Sequence, residues 1–252
     1  MSAPVFLVEP GELAQAQVSG TFLLRGTEAR HAGVVQRRAP GERIDVCDGA
    51  GARLVGQVVS TGADGVLVEV LDLRQEPAAS PALVLVQALA KGDRDERAIE
   101  AATEVGVDGV LPWQARRSIV VWRGERAAKS RALWLGTVRA AAKQSRRAWV
   151  PQVAAAVDSK ALAARVAATV AAGGGALVLH EEATAPIAQV VLPSGGELLV
   201  VVGPEGGIDD DELTVLVAAG AVAVRLGPHV LRTSTAGPVA LALLAQRLGR
   251  WG

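Results

Sequence analysis

The sequence predicts an α/β protein with a parallel sheet, preceded by a small β-barrel, and three observations carry the prediction. Up to about Arg74, short apolar runs are separated by glycine-bearing turns. From Leu83 onward, strand-like and helix-like runs alternate. Between them lies Gln75-Glu76-Pro77-Ala78-Ala79-Ser80-Pro81, whose two prolines resist helix and sheet alike. The expected division is one domain over residues 1–76 and a second over 82–252. With 252 residues, half of them hydrophobic, the chain is long enough for two cores.

In the first part, strands are expected at Arg43 to Cys47, Arg53 to Ser60 and Val66 to Leu71, with turns at Asp48 to Gly51 and Gly62 to Gly65. Beyond the linker, Leu83 to Leu89 reads as a strand, Arg94 to Val105 as a helix stopped by Gly106, and Val110 to Trp113 as a strand. A long helix is expected from Glu125 to Ser145, and an alanine-rich one from Ser159 to Ala172, stopped by three glycines. Ala176 to His180 and Glu197 to Val202 are short apolar runs of the kind covered on both faces. Asp209 to Asp211 supply caps and favourable charge for a helix reaching about Ala219, ended by Gly220. A strand at Ala223 to Leu226 and a helix from Ser234 to Leu248 close the chain. Strands separated by helices return to the same end of the sheet, so they run parallel.

The composition narrows the function. Cys47 is the sole cysteine and there are three scattered histidines, so neither a disulfide nor a cysteine- or histidine-rich metal site is expected. No secretory leader or membrane-spanning run is read, and a cytoplasmic protein is expected. The net charge of zero hides an asymmetry. From Trp113 to Val150 ten basic residues face one acid, Glu125, whereas residues 1–112 hold 10 basic and 16 acidic side chains and residues 151–252 hold 6 and 9. A segment of +9 attracts polyanions, and Trp113, Trp122, Trp134 and Trp149 are interleaved with it. A solvated basic helix with its tryptophans in the core is the alternative, and for the tryptophans it is the better reading.

The run Val200-Val201-Val202-Gly203-Pro204-Glu205-Gly206-Gly207-Ile208-Asp209 takes a buried strand into a glycine-rich loop and then a helix. Ligands bind in α/β proteins at such a place. Its glycines let a ligand approach the main chain. The three following acids would repel a phosphate, and the spacing matches neither a dinucleotide fingerprint nor a P-loop.

Three segments together resemble the cofactor loops of the RsmE family of SPOUT-class RNA methyltransferases: Leu177-Val178-Leu179-His180-Glu181-Glu182, Val202 to Gly207, and Leu226-Gly227-Pro228-His229-Val230-Leu231-Arg232-Thr233-Ser234-Thr235-Ala236. Gln87-Ala88-Leu89-Ala90-Lys91-Gly92-Asp93, Ala102 to Val107, Arg117-Ser118 and Gln144-Ser145-Arg146-Arg147 are similar to further motifs of that family. Arg30-His31-Ala32-Gly33, Pro40-Gly41-Glu42 and Asp48-Gly49 are similar to its PUA-like RNA-binding barrel.

The resemblance implies a SPOUT-type parallel sheet with a carboxy-terminal trefoil knot and an amino-terminal PUA-like barrel. It implies methylation of N3 of a uridine in 16S ribosomal RNA, within the assembled small subunit, by a homodimer using S-adenosylmethionine. Cofactor contacts are then expected from Leu179, His180, Val202, Gly203, Pro204, Glu205, Gly206, Gly207, Leu226, Gly227, Leu231, Arg232 and Thr233. Arg232 is the candidate catalytic residue, with a structural tie between loops as its alternative role. RNA contacts are expected from Arg30, Lys91, Arg116, Arg117, Lys143, Arg146 and Arg147. Other targets of the same architecture, ribosomal or transfer RNA, and a ribosome-binding factor without catalysis remain open. The chain departs from the family's usual pattern at four places: Ser234 stands where glutamate is frequent, Arg146 where glycine is usual and Lys143 where an acid is usual, and Pro4-Val5-Phe6 lacks a near-terminal arginine common in the family.

Overall fold

A computed structural model describes residues 3–251, which fall into two compact units. The first runs to Ala78 and takes in Ala142–Val150; the second comprises Ala79–Ala141 and the chain from Pro151 onward. The expected single cut between residues 76 and 82 therefore misses one segment. Ala148 is fully buried with Val5, Leu7 and Cys47, and the Trp149 indole donates to the Glu76 carbonyl at 3.0 Å, so this segment completes the first unit's core.

The first unit is a five-stranded sheet. Its strands are β1 (Val5–Leu7), β2 (Thr21–Leu24), β3 (Arg43–Cys47), β4 (Ala52–Gly62) and β5 (Gly65–Gln75), in the order β1-β3-β4-β5-β2. β1 runs parallel to β3 and every other pair is antiparallel. Register shifts at Val55/Gly56 and Val58/Ser60 interrupt the long β4–β5 hairpin, and such bulges bend a sheet over its core. That core is Phe6, Leu24, Ile44, Val46, Leu54, Val58 and Val68. α1 (Gly26–Arg30) runs directly into a π-helical turn at His31–Val35. β1, β2 and this helical turn were not foreseen, because runs of three to five residues are too short to show a period.

The second unit is the expected parallel sheet. Its strands are β6 (Ala82–Ala88), β7 (Gly109–Gln114), β8 (Gln152–Val153), β9 (Val157–Asp158), β10 (Gly175–Leu179), β11 (Glu197–Val202) and β12 (Val222–Val224). Their order is β12-β10-β11-β6-β7-β8, with β9 pairing β7. The helices are α2 (Arg94–Glu104), α3 (Gly124–Gln144, its last residues belonging to the first unit), α4 (Ser159–Ala171), α5 (Asp210–Ala218) and α6 (Thr233–Arg247). Each element expected in this unit is present with its boundaries within about three residues, whereas β8 and β9, two residues each, were not foreseen.

Alternation along the strands divides the sheet's two faces. Val86, Val178, Leu199 and Val201 pack with Leu162 and Val166 of α4 and Leu216 of α5. Leu85 and Val202 lie on the other face against α6, where a Cβ added to Gly237 would stand 2.9 Å from the Leu85 side chain. Glycine at 237 thus lets α6 sit almost on the strands.

Candidate functional site

Crossovers from β6 lead through α2 to β7, while those from β11 lead through α5 to β12, on the opposite side. Where successive crossovers diverge, a crevice opens at the carboxyl ends of the strands. Here it is a cleft of about 490 Å³ at the ends of β10 and β11. Its walls include Leu179, Val202, Gly203, Pro204, Glu205 and Gly207, together with Leu231, Arg232 and Thr233 from the loop after β12. A second, smaller lobe of about 200 Å³ shares Leu179 and Leu231 and adds His180, Leu226 and Gly227. Twelve of the thirteen residues expected at the cofactor thus line one lobe or the other. Gly206 does not line either lobe: a Cβ there would lie 3.3 Å from Arg117, so its role is to let Arg117 close on the loop.

The middle loop, Gly203 to Ile208, is held at several points. The Thr233 hydroxyl donates to the Gly203 carbonyl at 2.8 Å, and the Arg117 guanidinium donates to the Gly206 carbonyl at 3.1 Å. Glu205 accepts from the Lys91 amide at 3.1 Å and from Arg94 at 2.5 Å. Burial raises the Glu205 pKa, but these bonds and its own amide outweigh that and hold it below the usual glutamate value. The α5 start is a capping box, in which the Asp209 side chain and Glu212 satisfy each other's backbone amides. Glu212, nearly fully buried, also accepts from the Arg116 amide at 2.8 Å and from the Ser159 hydroxyl, which in turn accepts from the Trp113 indole. The acids that argued against a phosphate therefore cap the helix and bind Arg116, whose guanidinium donates to Asp209 and Asp211 at 2.8 Å each.

The third loop differs. Arg232 is exposed and lines the cleft, and its guanidinium has no hydrogen-bond or ionic partner among the described residues. Its backbone is extended, at φ −62° and ψ 150°, and its carbonyl accepts the amides of Thr235 and Ala236, so it stands at the mouth of α6. A tie between loops is not what this side chain does. His180 has its Nδ1 3.3 Å from the Glu182 amide. Cys47 is buried in the first unit, and burial pushes its thiol up to about 12, which leaves it no nucleophilic use.

The cleft also includes Glu181, Val230 and Ala236, which lie in the expected cofactor loops but were not named as contacts, and Arg94 and Ile208, which lie outside them. Arg94 opens α2 directly after β6, so the divergence of crossovers would have pointed to it had the strand order been legible. Next to it, burial of Asp95 raises its carboxyl pKa to about 6, against the opposing bonds from the Ala90 and Glu96 amides.

The residues expected on RNA separate into two sets. Arg30, Lys91 and Arg146 are exposed. Arg116 and Arg117 bind the α5 start and the middle loop, as above. Lys143 is enclosed in the first unit, bonded to both Glu28 oxygens at 2.9 and 2.6 Å and 2.7 Å from His31 Nδ1, over the Phe6 ring. Those three cations have partners within the protein. Arg147 also has an internal partner. Arg146 has φ +60°, in the left-handed region. Its amide bonds to the Lys143 carbonyl and that of Arg147 to the Ala142 carbonyl, the pattern of a helix end that favours glycine.

The chain is similar to known proteins over nearly all its length. A family model described as an RNA methyltransferase domain matches residues 78–245. A ribosomal RNA small subunit methyltransferase E of Mycobacterium bovis is 47% identical over 226 residues, covering 90% of this chain and 86% of that protein. The protein of the same name from Bacillus subtilis is 32% identical, with 93% and 94% covered. The crystal structure of one from Neisseria gonorrhoeae, bound to S-adenosyl methionine, superposes with a TM-score of 0.85 at 28% identity and covers 98% of both chains.

Proposed function

This chain belongs to the RNA methyltransferase family, among the ribosomal RNA small subunit methyltransferases E, and from that premise we propose that it methylates N3 of a specific uridine in 16S ribosomal RNA with S-adenosylmethionine. The observation that carries the proposal is the cleft where three loops meet beside an unpaired arginine, Arg232.

The residues present fit that cofactor. Gly227 has φ +87° and nothing within 4 Å of where a Cβ would stand, so a side chain there would occupy the second lobe. The lining combines apolar Leu179, Val202 and Leu231 with carboxylates of Glu181 and Glu205 and guanidinium groups of Arg94 and Arg232. That mixture suits a ligand with an adenine, a sulfonium and a zwitterionic amino acid. Leu179, His180, Val202 to Gly207, Leu226, Gly227, Leu231 and Thr233 would hold it, Gly206 by shaping the loop. The cofactor supplies an electrophilic methyl group.

The chain's own residues must align the uracil and manage its charge. Loss of the N3 proton places negative charge on O2 and O4 of the ring. The Arg232 guanidinium, unpaired and facing the cleft, is the group available to stabilise it.

The proposal extends to the knotted arrangement of the loops after β11 and β12, to a PUA-like barrel in the first unit, and to a homodimer working in the cytoplasm on the small subunit. Arg30, Lys91 and Arg146 would provide phosphate contacts, which position RNA and make binding salt-dependent. Nucleoside mass spectrometry of 16S RNA from cells with and without the gene tests the reaction. N3-methyluridine should vanish on deletion and return on complementation; an unchanged level would refute the assignment. Calorimetric titration of the purified protein with S-adenosylmethionine tests the cofactor, and no detectable binding would refute it.

A further inference from the structure

We propose that Gln87, which does not line the cleft, is a positioning residue whose buried amide acts through Thr233 to fix the middle loop against the start of α6. The inference rests on the function read above and deepens it.

Gln87 is the penultimate residue of β6, opposite Val202 of β11, and is completely buried. It shares a strand face with Leu83 and Leu85, where an apolar side chain would be expected. Burying a primary amide is unfavourable unless its atoms are bonded. Its Nε2 donates to the Thr233 hydroxyl at 2.8 Å and to the Ala88 carbonyl at 3.2 Å, and the Thr233 hydroxyl donates to the Gly203 carbonyl at 2.8 Å. A hydroxyl has one proton, so Thr233 can donate to Gly203 only if it accepts from Gln87. The chain of bonds is therefore directional, and it orients the amide. That orientation leaves Gln87 Oε1 buried with no partner among the described residues. Stability alone would favour leucine or methionine at this position. What the amide adds is a link from β6 to two walls of the cleft at once, since Gly203 and Thr233 both line it and Arg232 immediately precedes Thr233. Gly237 contributes by letting α6 approach β6 closely enough for the link to form.

The test is a double-mutant cycle on the full-length protein, with S-adenosylmethionine affinity measured by calorimetry and turnover measured at saturating cofactor. Gln87→Leu keeps the volume and removes the donor; Thr233→Val keeps the shape and removes the hydroxyl. Each should weaken cofactor binding about tenfold and lower turnover severalfold, and the double variant should be no worse than Thr233→Val alone, because both break one chain of bonds. Thr233→Ser, which keeps the hydroxyl, should recover affinity to within about threefold of wild type. Losses that multiply in the double variant would overturn the inference, as would a folded Gln87→Leu protein with wild-type affinity and turnover. If Gln87→Leu does not fold, Thr233→Ser binding as poorly as Thr233→Val would overturn it. Wild-type protein that fails to bind S-adenosylmethionine would instead sink the function on which the inference rests.

Discussion

The basic stretch from Trp113 to Val150 and the loop from Leu226 to Arg232 teach opposite lessons about charge. The first holds ten cations, yet Arg116, Arg117, Arg131 and Lys143 bond to groups of the protein itself, and Arg139 and Arg147 also have partners. The second is poor in charge, yet its Arg232 is unpaired and lines the cleft. Charge density along a sequence measures attraction for polyanions at long range. Which cations can touch a ligand depends on the carboxylates and carbonyls that folding brings to each.

The sharpest way to break this contrast is Arg232→Ala. Turnover should fall at least a hundredfold, in line with about 10²–10³ for losing one charge-stabilising donor, with cofactor affinity changed less than about threefold. Full turnover would show that the unpaired arginine is idle. Asp95 tests the converse, a buried carboxylate with no ion pair among the described residues. Because burial raises its folded pKa to about 6, it destabilises the fold above that pH, and the penalty disappears as pH falls through 6 towards 4. The stability difference between Asp95→Asn and wild type should therefore shift in favour of the variant between pH 4 and pH 8, by up to about 3 kcal/mol in denaturant titrations. A difference independent of pH would rule this out.

Lys143→Met should cost about 1–3 kcal/mol of stability by leaving Glu28 half-buried and unpaired, and should leave the salt dependence of RNA binding unchanged. A salt slope lowered by about one would return Lys143 to the RNA surface. The smallest effect belongs to Arg146→Gly. Relieving a left-handed residue should stabilise the protein by about 1 kcal/mol in thermal or chemical unfolding, while the same change weakens RNA binding slightly at low salt. Loss of stability would mean that the side chain does more than end the helix.

Much of this protein was determined by the sequence itself. The alternation after Leu83, the β-branched run at Leu198 to Val202, the acidic cap at Asp209 and the glycines at 106, 173 and 220 are local signals, since period, capping and chain reversal act over a few residues. They suffice for the parallel sheet, and the three loop motifs suffice for the family. Tertiary structure alone decided what those residues meet. The strand order β12-β10-β11-β6 placed the three loops side by side and made Arg94 a wall of the cleft. It set Gln87 beneath Thr233, 146 positions away, and Lys143 beside Glu28, 115 away. Folding also returned residues 142–150 to the first unit, because Ala148 packs there with Val5, Leu7 and Cys47 and the Trp149 indole finds the Glu76 carbonyl. Pairings across such distances depend on which surfaces bury best together, and no local pattern records that. For the same reason, Arg232 faces the cleft free of any partner among the described residues, a property that exists only once every other group has found its own.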